Sequence, residues 1–290
     1  MRMRQTLKLF SSFTMVLILF GCSEKLSDDA FLFNPPEQYD ALIETGWAHF
    51  QNGMYQEAID AFIGASERNA IEPEVYLGLG WSYARNLELI KGENNLQKAV
   101  AFAIFDSPNS TRITAESLAG IGLIKLASGN YAECITYIDQ VLELEAGESF
   151  AFSMDLSVNS QSLKISKAKS HYYLAEIEQS YLVLQDLGID IDCDCVQTVT
   201  GTGTVSHGEN TTSLGQVFVS VNENHSLVSG TAVRSDGINY TVLKTYEGTN
   251  RLLIAGNPIV DEDHTVEVDY IFTEDYSEFL NRLLAAITSH

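Results

Sequence analysis

The chain has 290 residues and is strongly acidic, with 39 acidic and 17 basic side chains and a formal charge of −22. A surface of this charge disfavours nucleic acid and anionic lipid as direct partners, because both are bound through basic patches. Hydrophobic residues make up 45% of the sequence, which excludes a disordered chain and predicts a packed core.

The first 22 residues have the three parts of a secretory signal. Arg2 and Arg4 form a basic start, an apolar run occupies positions 15–20, and Gly21 stands before Cys22. The segment 19–22 resembles the bacterial lipobox, and this resemblance implies that Cys22 is lipidated and becomes the first residue of the mature chain. An ordinary signal with an incidental cysteine is the alternative. The apolar run is too short for a membrane span of ~20 residues.

Removal of this signal takes away three basic residues and leaves a mature chain of 268 residues with a formal charge of −25. Such an acidic body offers no basic surface to a bilayer, so attachment depends on the lipid. Residues 23–38 are then a tether. The residue after the anchor is Ser23 and not an aspartate, which permits sorting to the outer membrane.

An internal repeat begins after the tether and covers residues 39–144. The pairs Gly46-Trp47 and Gly80-Trp81 lie 34 residues apart, and small and large residues alternate around them at helical spacing. Glycines such as Gly53 stand where a first helix must end. The pattern resembles the tetratricopeptide repeat, which implies a solenoid of antiparallel helical hairpins.

The later repeats depart from this pattern. In the second, the segment Lys91–Asn95 predicts an insertion that moves the second helix to about residues 96–105. The serine-rich stretch 150–162 predicts a loop after the third repeat. A degenerate fourth pair of helices is predicted at about 163–173 and 177–187, so the helical domain covers residues 39–188.

Residues 193–290 change from helical spacing to strand-like alternation. Alternating runs predict strands near 198–205, 217–221, 238–243 and 266–272, with turns at 235–237 and 247–250. An amphipathic stripe over 276–287 predicts a C-terminal helix. The predicted fold is therefore α+β and multidomain: a tetratricopeptide-like solenoid followed by a small antiparallel β domain with a C-terminal helix.

The resemblance to the tetratricopeptide family also implies a partner-binding groove, because certain positions of each first helix line the concave face in that family. These positions are apolar here, and both tryptophans of the chain occupy the same one. A groove of this kind marks a protein-binding surface unless the C-terminal helix or the β domain fills it. The predicted groove residues are Ile43, Trp47, Phe50, Leu77, Trp81, Leu123 and Leu126.

Three other segments contain residue types that serve in ligand sites. Asp190–Cys195 holds three carboxylates and two thiols, but Cys193 and Cys195 are closer together than a structural zinc pair requires. Asp261–His264 lacks the pattern of a calcium loop. Gly201–Thr204 lacks the helix that follows a phosphate loop. The sequence therefore predicts no metal site and no cofactor.

The residues also contain no recognisable nucleophile setting, and we expect no enzyme. The sequence favours a membrane-anchored scaffold in a bacterial envelope assembly. It would bind its protein partners through the groove described above. The alternative is a lipoprotein whose β domain captures a small molecule, a glycan or a metal.

Overall fold

A computed structural model describes residues 36–106, 108–144, 150–189, 191, 196–205, 216–255 and 264–289; it does not describe the side chains of 36–38 and 264. Eight helices come first in these ranges, then seven strands, then a last helix. No helix among the described residues is long and apolar enough to cross a membrane. The helices are α1 (Pro36–Gln51), α2 (Tyr55–Ser66), α3 (Pro73–Arg85), α4 (Leu89–Ala103), α5 (Ser110–Ala127), α6 (Tyr131–Leu144), α7 (Ser160–Tyr173), α8 (Ile177–Asp186) and α9 (Tyr276–Ser289).

The first eight helices form four hairpins that turn in the same way. In each hairpin, one residue between the two helices has a left-handed backbone, and the second helix begins two residues later. The N–H after that residue bonds to the carbonyl five positions back, as Met54 N does to His49 O at 2.9 Å, and this is the Schellman ending of the first helix. The four turning residues are Gly53, Leu87, Gly129 and Ala175, with φ of 75°, 64°, 76° and 59°.

The packing between the helices of each hairpin follows this turn. Small, buried residues lie seven positions before and five positions after each turning residue, and the two helices approach closely there. Nine residues after it stands a large side chain with no exposed surface. The four sets, in chain order, are Gly46, Ala58 and Phe62; Gly80, Gly92 and Leu96; Gly122, Cys134 and Ile138; and Ala168, Ser180 and Leu184.

This common frame confirms the fourth pair of helices and corrects the second repeat. The segment Lys91–Asn95 is not an insertion, because it lies inside α4, which begins at Leu89. Gly92 is buried in the same place as Ala58 of the first repeat, and a Cβ on it would lie 3.1 Å from Gly80 O. This helix was predicted to begin at about residue 96, too late, because Leu87 turns the chain where a glycine was expected.

The strands form one antiparallel sheet in the order β4-β3-β7-β1-β2-β6-β5. The strands at the two ends, β4 and β5, are consecutive in the chain and are separated only by Thr241. Gly230 N on β3 donates to Thr245 Oγ1 on β5 at 3.0 Å. The sheet therefore closes into a small barrel. Its strands are β1 (Val196–Val205), β2 (Gln216–Ser220), β3 (Ser226–Ser235), β4 (Ile238–Tyr240), β5 (Val242–Tyr246), β6 (Arg251–Ala255) and β7 (His264–Thr273).

The predicted strands near 198–205, 217–221 and 266–272 and the C-terminal helix are confirmed. The predicted strand 238–243 is wrong, because the chain divides at Thr241 into β4 and β5 at opposite ends of the sheet, and β3 and β6 were not identified in the sequence. Asp236 and Gly237 both have positive φ and form the predicted hairpin turn between β3 and β4. Buried aliphatic and aromatic side chains of five strands, β1, β2, β3, β6 and β7, fill the barrel. A Cβ on Gly203 would lie 2.6 Å from Val219 Cγ1, so this part of the barrel holds no free space.

The barrel and α9 pack on the fourth repeat. Phe279, Leu283 and Ile287 of α9 are buried against α7, α8 and the outer face of the barrel. Glu178 of α8 accepts a hydrogen bond from Ser229 Oγ of β3 at 2.5 Å. The C-terminal helix therefore covers the end of the helical stack, in a separate apolar cluster from the two tryptophans.

Candidate functional site

The first helices of the repeats, α1, α3, α5 and α7, lie side by side and form the inner layer of the solenoid. The residues predicted to line an open groove belong to this layer. Trp47 and Trp81 are 6% and 2% exposed, Phe50 and Leu77 are buried, and Ile43, Leu123 and Leu126 are half-buried. The predicted groove is therefore largely closed, with four of its seven residues buried and three half-buried.

The loop between α6 and α7 closes it. Phe152 has no exposed surface and stacks on Trp81, with ring centroids 4.3 Å apart and planes 15° apart. Its ring also lies edge-on to Trp47 and Phe50, at 6.1 and 6.0 Å. The C-terminal helix and the β domain were the segments expected to fill the groove if it was closed, and neither of them fills it. The sequence held one signal for this loop, since two phenylalanines in a serine-rich stretch are costly unless they are buried.

The loop around Phe152 has a regular hydrogen-bonded structure. Ala151 and Asn159 form an antiparallel bridge, and Phe152 N donates to Val158 O at 2.8 Å. The side chain of Asn159 then caps α7 in a capping box with Ser162. These bonds present Phe152 to the inner layer as a fixed plug.

A partly buried ionic network connects the plug to α3 and α5. Glu116 is 2% exposed; it accepts from Ser153 N at 3.1 Å and pairs with Arg112 Nη1 at 2.7 Å. Arg112 also pairs with Glu74, whose other oxygen accepts from Trp47 Nε1 at 3.0 Å. Burial raises the pKa of Glu116, an effect that the Ser153 and Arg112 contacts oppose.

One part of the inner layer stays open beside the plug. A pocket of about 160 Å³ lies between the C-terminal ends of α3 and α5 and the start of α4. Trp81 and Leu123, both predicted groove residues, form part of its wall. We call it the Leu87 cleft; it is lined by Trp81, Ala84, Arg85, Leu87, Leu89, Gly120, Leu123, Ile124 and Ala127.

The remaining candidate residues of the sequence lie elsewhere. Cys22, the predicted lipidation site, and Asp190–Cys195 without Ile191 lie outside the described residues. Asp261–Asp263 also lies outside them. Among the described residues, no group of three potential metal ligands comes together. Cys134 is buried at a packing position of the third repeat, and burial raises the pKa of its thiol.

No family model matches the chain, and no curated protein matches it. Two solved structures of MamA, one of them a mutant, match 53% of this chain at 14% identity and a TM-score of 0.40; the matches cover 82% and 76% of those chains. PilF of Pseudomonas aeruginosa matches 52% of this chain at 15% identity and a TM-score of 0.28, over 75% of its length. Similarity of this extent carries no inference about function.

Proposed function

We propose that the chain is a lipid-anchored helical-repeat protein that binds other proteins and organises an assembly in the bacterial envelope, at the outer membrane. The observation that carries this proposal is the Leu87 cleft. It is an apolar pocket on the inner layer of a solenoid, and the side chain at its rim, Leu87, is 85% exposed. An exposed apolar surface of this kind is typical of a protein-binding site.

The charges around the cleft support a protein partner. The basic side chains beside it are each paired with a carboxylate: Arg85 with Asp155, Lys91 with Glu88, and Lys125 with Glu93 and Glu133. These pairs leave little free charge near the cleft. An aliphatic surface with satisfied charges around it suits a hydrophobic side chain of another protein and offers little to a charged small molecule.

The barrel gives less support to the alternative, a captured small molecule or glycan. Its interior is occupied by side chains of the chain itself, including Tyr270 and Phe272. A molecule bound inside would have to displace this core. We therefore assign the barrel and α9 a structural part, in which they cover the end of the helical stack.

Affinity purification of the tagged full chain from native membranes tests the binding function. Leu87→Asn keeps the charge and tolerates the left-handed backbone, and we expect it to lose the co-purified proteins. The matched control is Ile71→Asn, because Ile71 is 56% exposed in a turn at the opposite edge of the solenoid. Equal recovery with both variants would contradict a binding role for the cleft.

The anchor is tested separately through Cys22. We expect the chain to stay with membranes after an alkaline carbonate wash, and Cys22→Ser to release it or leave it unprocessed. The variant removes the thiol that the lipid would modify and leaves the folded body unchanged. Normal processing of Cys22→Ser to the mature length, together with unaltered membrane retention, would contradict lipidation at this residue.

A further inference from the structure

Leu87 costs stability in two ways that no contact among the described residues offsets. Its φ of 64° places it in the left-handed region, where a leucine is less stable than a glycine by about 1 kcal/mol or more. Its side chain is exposed, so it gains no burial in return. Gly53 and Gly129 hold the same turn without either cost, and Ala175 shares the backbone strain but exposes only a methyl group. Strain and exposure together at one residue point to a contact made outside the fold.

Ile90 belongs to the same surface. It lies on the first turn of α4 and is 79% exposed, three residues after Leu87. Leu87 lines the Leu87 cleft, and Leu87 and Ile90 together line an open depression next to it. An apolar cavity of ~150 Å³ accommodates a benzene molecule, so this pocket has room for one leucine or isoleucine side chain. A projecting side chain and a matching pocket therefore adjoin on one face.

The exposed charges of this face are complementary to the same charges on a second copy of the chain. Glu88 and Lys91 flank Ile90 and pair with each other at 2.5 Å. If the starts of two α4 helices meet antiparallel, Glu88 of each copy faces Lys91 of the other. A contact in which the same patch serves both partners is the arrangement of a two-fold dimer.

We propose that the Leu87 cleft binds a second copy of this chain, with Leu87 of each copy entering the cleft of the other. This proposal rests on the protein-binding function above and names its partner. Two side chains and a small pocket cover less than the ~800 Å² per partner of a standard interface, so the dimer is weak in solution. Anchoring both copies in one membrane raises their effective concentration and favours the dimer.

Cysteine cross-linking of the full chain in native membranes tests the proposal. Ile90→Cys places a thiol next to the two-fold axis, and Ile71→Cys places one at the opposite edge as the matched control. We expect a short bis-maleimide to give at least about fivefold more dimer with Ile90→Cys than with Ile71→Cys, the ratio that corresponds to ~1 kcal/mol. The unsubstituted chain measures any cross-linking through its native cysteines.

A second variant separates a specific contact from crowding. Adding Leu87→Asn to Ile90→Cys should return the dimer yield to that of Ile71→Cys. The proposal is overturned if Ile90→Cys gives no more dimer than the control, or if Leu87→Asn leaves its yield unchanged. Loss of self-cross-linking with continued Leu87-dependent capture of other proteins would overturn the second copy as partner and leave the binding function standing.

Discussion

Replacement of Phe152 by alanine tests the closed inner layer directly. The side chain is fully buried between the rings of Trp81, Trp47 and Phe50. Truncation of a fully buried phenylalanine to alanine costs about 3–5 kcal/mol, from lost transfer free energy and from the cavity that remains. The ring stack on Trp81 adds a geometric contact of about 0.5–1.5 kcal/mol that is part of this total. We expect Phe152→Ala to destabilise the helical half by about 3 kcal/mol or more.

Urea denaturation followed by tryptophan fluorescence measures this loss. Both tryptophans of the chain lie in the helical half, so the signal reports that half even if the barrel unfolds separately. The matched control is Leu156→Ala in the same loop, because Leu156 is 72% exposed and its truncation should cost less than ~0.5 kcal/mol. Phe152→Ala should also increase quenching of Trp81 by acrylamide. A cost below ~1 kcal/mol, with unchanged quenching, would refute the plug and restore the open groove.

Three further variants test the close packing within a helical hairpin, the backbone strain at Leu87, and the contact between α8 and the barrel. Gly80→Ala should destabilise the protein by about 1–3 kcal/mol in urea denaturation, because its Cβ would lie 2.5 Å from Leu96 Cγ. The control Gly64→Ala, whose Cβ would lie 3.6 Å from its nearest neighbour, should be neutral or slightly stabilising. Equal effects of the two variants would contradict the close approach of the helices. Leu87→Gly should raise the free energy of unfolding by about 1 kcal/mol while it abolishes cross-linking, and a loss of stability would count against strain. Burial raises the pKa of Glu178, so its contribution to stability should decline as pH rises from the ordinary carboxyl pKa through the raised one. Glu178→Gln should remove this pH dependence of the free energy of unfolding, measured by circular dichroism. An unchanged pH dependence would exclude Glu178 as its source.

The repeat could be predicted from the sequence because its main determinants are local. Gly46-Trp47 and Gly80-Trp81 reveal the period, and Gly53 marks the end of a first helix. The second repeat was misplaced because its turn depends on a leucine with a left-handed backbone. Leucine has no intrinsic preference for that conformation, so no local pattern marks it. The common frame of the four hairpins is set by backbone angles, which the residue types alone do not show.

The plug and the closure of the barrel depend on contacts between distant residues. Phe152 meets Trp47 across more than one hundred residues of sequence, and no periodicity relates the two positions. The barrel closes because Thr241 joins strands at opposite ends of the sheet, which alternation alone does not reveal. The covering of the predicted groove escaped the sequence for the same reason. Its residues were placed on the correct face, but the segment that covers that face lies elsewhere in the sequence.

The plug also decides which surface remains for binding. By covering Trp47, Phe50 and most of Trp81, Phe152 turns the aromatic residues of the inner layer into core. The apolar surface that stays open then lies at the turn end of α3 and α5, where its exposed members are aliphatic. The two roles are separable because Phe152 is fully buried and Leu87 is fully outside the core. Phe152→Ala should therefore lower stability, whereas Leu87→Asn should lower association and leave the fold intact.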